Sequence, residues 1–167
     1  MTKKQEVLVQ EFLSCLCEDE QPIYNELVSA LAELGYSSKK QKSDLSFTHS
    51  LHNKQIAKMG FRTGKSPRPF FALRFSGCQV YSARFQDVVK ENITKYPSKF
   101  SRCIDGNCDY CGGPPATHVY FHDFPDGEKN HCGAYALEIT GISESDLEEI
   151  KRLLTEENQY LMVHQVG

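Results

Sequence analysis

The chain has 167 residues, a quarter of them charged, with a formal net charge of -3 and a mean hydropathy of -0.48. That length can bury roughly two-thirds of the surface the unfolded chain exposes, so a single domain over 1–167 is expected, with no need of staples merely to fold. No stretch approaches the roughly 18 apolar residues of a membrane span, and Met1-Thr2-Lys3-Lys4 leads into an amphipathic pattern instead of an apolar leader. The expectation is a cytoplasmic protein without membrane attachment, whose seven cysteines are reduced and available to a metal or to redox chemistry.

Charge is unevenly spread. Residues 38–102 hold 14 basic and 3 acidic side chains, whereas residues 103–167 hold 3 basic and 12 acidic. Either the middle third faces an anionic partner such as nucleic acid, or it packs beside acidic elements of the same chain. The second is favoured, because nucleic-acid modules are usually basic as a whole and the pI here is near 6.1.

In chain order, Thr2 with Gln5 three residues on is a capping-box start, followed by Val7, Leu8, Phe12, Leu13 and Leu16 at helical spacing; this predicts a helix to about Cys17. Pro22 suits a first helical position, Ile23, Leu27, Leu31 and Leu34 form one stripe, and Gly35 is a stop. From Leu45 the period becomes two. Strands are expected around Leu45–Ser50, Ile56–Arg62, Phe70–Phe75 and Cys78–Tyr81, an antiparallel meander turning at Thr63-Gly64-Lys65-Ser66-Pro67 and Ser76-Gly77. Ser82 caps a third helix carrying Phe85, Val88, Val89, Ile93 and Tyr96, ended by Pro97. Asn92-Ile93-Thr94 matches a glycosylation sequon but falls on that helix and is set aside.

Residues 97–116 have no periodicity, and an unstructured loop of that length is uncommon unless something organises it. Thr117–His122 and His131–Ile139 then read as a hairpin across Pro125-Asp126-Gly127, and Ser143 with Asp146 opens a closing helix bearing Leu147, Ile150, Leu153 and Leu154. Helices and antiparallel strands in blocks, without βαβ alternation, define an α+β fold: an antiparallel sheet with helices on one face, and a cysteine-rich loop between the third helix and the late hairpin.

The candidate organiser is zinc. Cys108 and Cys111 have the Cys-x2-Cys spacing that lets two thiolates point into one turn, Gly112 and Gly113 free the following amides to approach the sulfurs, Cys103 offers a third ligand and Cys132 a fourth. If the hairpin pairs His122 with His131, alternation puts His118, His122 and His131 on one face and Cys132 on the other; those histidines are the alternative ligands, His131 by a one-residue slip. Four protein ligands close the zinc shell, and with no His-Glu-x-x-His or His-x-Glu signature structural zinc is expected; the segment 103–132 resembles zinc-ribbon or zinc-knuckle sites in general, which occur on many folds. Cys15 and Cys17, two apart on the expected first helix, cannot share a metal, and Cys78 stands alone.

Arg62, Lys65, Arg68 and Arg74 lie among Phe61, Phe70, Phe71 and Phe75, which suits an anionic small molecule or single-stranded nucleic acid, although alternation assigns the aromatics to the core. His49, His52 and Tyr81 could line a pocket, though histidines near strands are usually just hydrogen-bonded. The resulting expectation is a non-enzymatic binding or regulatory domain with structural zinc, whose partner is an anionic small molecule or a protein. The alternatives are a thiol-redox enzyme or sensor using Cys108 and Cys111, and a nucleic-acid module acting through residues 38–102.

Overall fold

A computed structural model describes residues 2–75, 77–78, 80–96, 119–133 and 135–163. Two helices open the chain, α1 (Lys3–Leu13) and α2 (Glu20–Glu33). The capping box of α1 is complete: Gln5 N–H donates to Thr2 Oγ1 at 3.4 Å and Thr2 N–H to Gln5 Oε1 at 2.8 Å. The helix ends at Leu13, short of the expected Cys17, and Leu16 reaches the core from the turn that follows. Cys15 and Cys17 are exposed beyond the helix. Gly35 stops α2 at φ +87°, a left-handed conformation that costs glycine least.

Four strands follow as a meander: β1 (Tyr36–Gln41), β2 (Asp44–His49), β3 (Gln55–Arg62) and β4 (Arg68–Leu73). Helix α3 (Ala83–Lys95) starts at the Ser82 cap. The hairpin β5 (Val119–Phe124) and β6 (Gly127–Cys132) is a separate two-stranded sheet, β7 (Leu137–Ile139) joins the main sheet beside β4, and α4 (Glu144–Val163) closes the chain. The main sheet is fully antiparallel in the order β1-β2-β3-β4-β7. It is an α+β fold, and alternate residues Leu45, Phe47, Ala57, Met59, Phe71, Leu73, Leu137 and Ile139 share one core with residues of all four described helices. Each large side chain taken out of water there contributes about 1.5–3 kcal/mol before entropy is counted. No described helix is long and apolar enough to cross a membrane.

One strand is new and two expected ones change. β1 was not anticipated, because its sequence Tyr-Ser-Ser-Lys-Lys-Gln is polar and only Tyr36 and Ser38 are buried on this edge strand. Cys78, Val80 and Tyr81 form no strand: β7 lies beside β4 instead, and polar groups of the described residues here are met by α4. Gly77 N–H donates to Glu157 Oε2 at 2.7 Å, the Cys78 thiol to the Leu153 carbonyl at 3.7 Å, Arg152 to the Val80 carbonyl at 3.0 Å and Ser82 N–H to Glu149 Oε1 at 2.7 Å. A Cβ at position 77 would stand 2.6 Å from Tyr160 Cβ, so glycine lets the strap approach the helix. The expected His131–Ile139 strand, finally, is divided between β6 and β7 in different sheets.

The free edge of β7 is closed by a side chain. Asn92 of α3 accepts from Glu138 N–H at 3.1 Å and donates to the Glu138 carbonyl at 3.0 Å, imitating the next strand. Asn92 is buried, so the sequon it begins cannot carry a glycan on this surface.

Candidate functional site

Cys103, Cys108, Cys111 and His118 lie outside the described residues. Cys132 does not: it ends β6, is 1 % exposed, and stands opposite Val119, the first residue of β5. A buried sulfur is thus fixed in the ladder at the point where the cysteine-rich segment enters the hairpin.

The register corrects the expected pairing. His122 is opposite Lys129, not His131, and His131 is opposite Tyr120. That difference is two residues, and a shift of two preserves alternation, so His122 and Cys132 still occupy opposite faces. The side chain of His131 lies outside the described residues. His122 is 8 % exposed, and its buried Nε2 has no hydrogen-bond partner among the described residues. Burial first, and Lys90 of α3 second, lower its pKa against a small opposing effect of Asp123, keeping the ring neutral. Among the described residues no three histidine, cysteine or carboxylate side chains converge in a way that could hold a metal.

Three of the four cations, Arg62, Lys65 and Arg68, sit about the β3–β4 turn, and Arg74 does not. Arg62 forms a two-pronged ion pair with Glu138 of β7, one arm 3.0 Å long, and its guanidinium carbon lies 3.9 Å from the centre of the Phe70 ring. Arg68 is its exposed ladder partner across β3 and β4, and Lys65 is exposed in the intervening turn. Arg74, beyond the opposite end of β4, is bound at 2.9 Å to Glu157 of α4, a carboxylate that is 0 % exposed. The aromatic expectation is met for Phe70, Phe71 and Phe75, all fully buried. On the sheet face away from Phe71 and Leu73, a groove of about 330 Å³ is lined by Asp44, Lys58, Arg62, Phe70, Tyr135 and Glu138; its charges are balanced.

A second constellation forms where β2 turns into β3. His49 Nδ1 accepts from Leu51 N–H at 3.2 Å and His52 Nδ1 from Lys54 N–H at 3.1 Å. The two imidazoles are stacked, with centroids 4.2 Å apart and planes 8° from parallel. Because each Nδ1 accepts, a neutral ring carries its proton on Nε2. His52 Nε2 therefore faces the Tyr36 hydroxyl as donor at 3.5 Å, and that hydroxyl donates to Asn158 Oδ1 of α4 at 3.0 Å. Burial raises the Tyr36 pKa, with Glu157 adding to it and Arg74 opposing, so the phenol stays protonated. Gly35 backs the cluster: a Cβ there would lie 2.7 Å from His49 Nε2. Tyr81 is not part of it, and packs edge-on against Phe75 at 5.4 Å.

The sequence reading singled out His49 and His52 but missed Tyr36, Asn158 and Glu157. For Glu157 a signal existed: it falls on the stripe Ile150, Leu153, Leu154, Leu161 of α4, where a carboxylate must find a buried partner. Comparison of the chain with protein-family models, with curated proteins and with solved structures returns no match.

Proposed function

We propose that the chain is a non-enzymatic binding or regulatory domain whose 103–132 segment is ordered by a structural zinc ion held by Cys103, Cys108, Cys111 and Cys132. The observation that supports this most is the placement of Cys132. A thiol on a hairpin's last ladder position is already ordered, so a ligand there costs little further conformational entropy and ties the segment to the sheet. The Cys-x2-Cys spacing of Cys108 and Cys111 supplies the other half of the reading. The partner is an anionic small molecule or a protein, and the exposed Lys65 and Arg68 at the β3–β4 turn are the cations that neither Glu138 nor Glu157 neutralises.

Metal analysis of the untagged protein tests the reading. About one zinc per chain is expected, and Cys132→Ser removes most of it. His122→Ala leaves the zinc content unchanged, because His122 faces away from Cys132. Metal-free protein of full stability refutes the proposal, and zinc lost in the His122 variant but kept in the Cys132 variant replaces the fourth ligand.

A further inference from the structure

We infer that the connection between β2 and β3 is a proton-operated turn, held closed by the backbone N–H groups that His49 and His52 accept and opened by protonation of His52 at mildly acidic pH. The argument begins with the hydrogen bonds. In both histidines the ring Nδ1 receives the backbone N–H two residues ahead, the geometry an asparagine side chain supplies in an Asx-turn. Two successive turns of this kind shape residues 49–54, with Asn53 in the left-handed region at φ +54° and its N–H donating to the His49 carbonyl at 3.1 Å.

An imidazolium has no acceptor. Adding a proton at Nδ1 sets N–H against N–H at Leu51 or Lys54, so the bond that defines the turn becomes a repulsion. Stacking sharpens this, because the second protonation places two cations in rings 4.2 Å apart.

The surroundings do not offset the charge. From the turn itself Lys54 acts on His52, and from the end of β4 Arg74 does so too, both cations. Tyr36 of β1 meets both rings edge-on at 5.0 and 5.9 Å, and burial keeps it neutral. On α4, Asn158 is uncharged and Glu157 is committed to Arg74 and Gly77 N–H. His49 is buried, its Nε2 hard against Gly35. Burial, then His49, then Lys54 lower the His52 pKa below the ordinary 6.5, outweighing a hydrogen bond to its own backbone that raises it.

The sign follows. A group whose pKa is lowered in the closed form binds protons more tightly in the open form, so the closed turn is fully favoured above about pH 6.5 and loses ground as pH falls through that value. Opening separates His52 from the Tyr36 hydroxyl, and with it the turn from α4.

Hydrogen exchange on the intact protein, corrected for the intrinsic pH dependence of amide exchange, reads the turn directly. Between about pH 7.5 and about pH 5, protection of the Leu51 and Lys54 amides falls by about tenfold or more, while that of the β3–β4 ladder holds. The double variant His49→Asn/His52→Asn keeps both acceptors without the titration and shows a flat profile. Should the double variant fail to fold, His52→Asn alone removes the half-exposed ring, keeps an acceptor for Lys54 N–H, and is expected to flatten the pH profile at Lys54. Protection at Leu51 and Lys54 that does not change with pH in the wild type, or that changes equally in the asparagine variants, overturns the inference.

Discussion

Glu157 shows most plainly how one side chain organises this protein. Its carboxylate has no exposure, and its two oxygens are divided between Arg74 Nε and the Gly77 amide, so it fastens the end of β4 and the following strap to α4. Removing one partner of a buried pair leaves the other charge and an amide unsatisfied, a loss far larger than that of a surface ion pair. Glu157→Ala is expected to cost about 3 kcal/mol in urea unfolding, the lower end for a buried pair because Arg74 retains some solvent contact. A cost under about 1 kcal/mol would mean the pair behaves as an exposed one. Gly77 depends on the same contact, since any side chain there meets Tyr160 before the amide can reach the carboxylate.

Among the elements, β7 and the β5–β6 hairpin separate what the sequence shows from what it hides. β7 has only three residues and gains its outer hydrogen bonds from Asn92, so it is stable because α3 lies beside it. Asn92→Ala is expected to cost about 1–3 kcal/mol and to raise exchange at the Glu138 amide, because that N–H and carbonyl lose their partner inside the protein. Unchanged Glu138 protection would show that α3 shields the edge without the amide. Capping boxes and helical stripes were legible because they are local: Thr2 with Gln5 forms in full, and of Ser143 with Asp146 one half forms, the Asp146 carboxylate accepting from Ser143 N–H. The strand at 36–41 was not, since an edge strand needs no alternation of polar and apolar residues, and the 78–81 segment looked like a strand only because Cys78 and Tyr81 are apolar. Hairpin register was missed by two residues, yet face assignment survived, because parity is what alternation encodes.

At the scale of the whole molecule, the opposed charges of the middle and C-terminal thirds meet inside one fold. Arg62 pairs with Glu138, Arg74 with Glu157 and Arg84 with Asp146, so part of the cationic excess is spent on holding β3, β4 and α3 to β7 and α4. That arrangement could be foreseen from composition alone, whereas which arginine meets which carboxylate is set by strand order. The candidate site was legible as a spacing of cysteines; the buried position of Cys132 opposite Val119 came only with the ladder. The proposed zinc tie between residues 103–111 and Cys132 would make the hairpin's stability metal-dependent, while the five-stranded sheet has its own core. Hydrogen exchange of the zinc-loaded protein before and after chelation measures this directly: protection is predicted to collapse across β5 and β6 and to persist in β2, β3 and β4. Hairpin protection that is unchanged after the metal has been stripped would contradict the account.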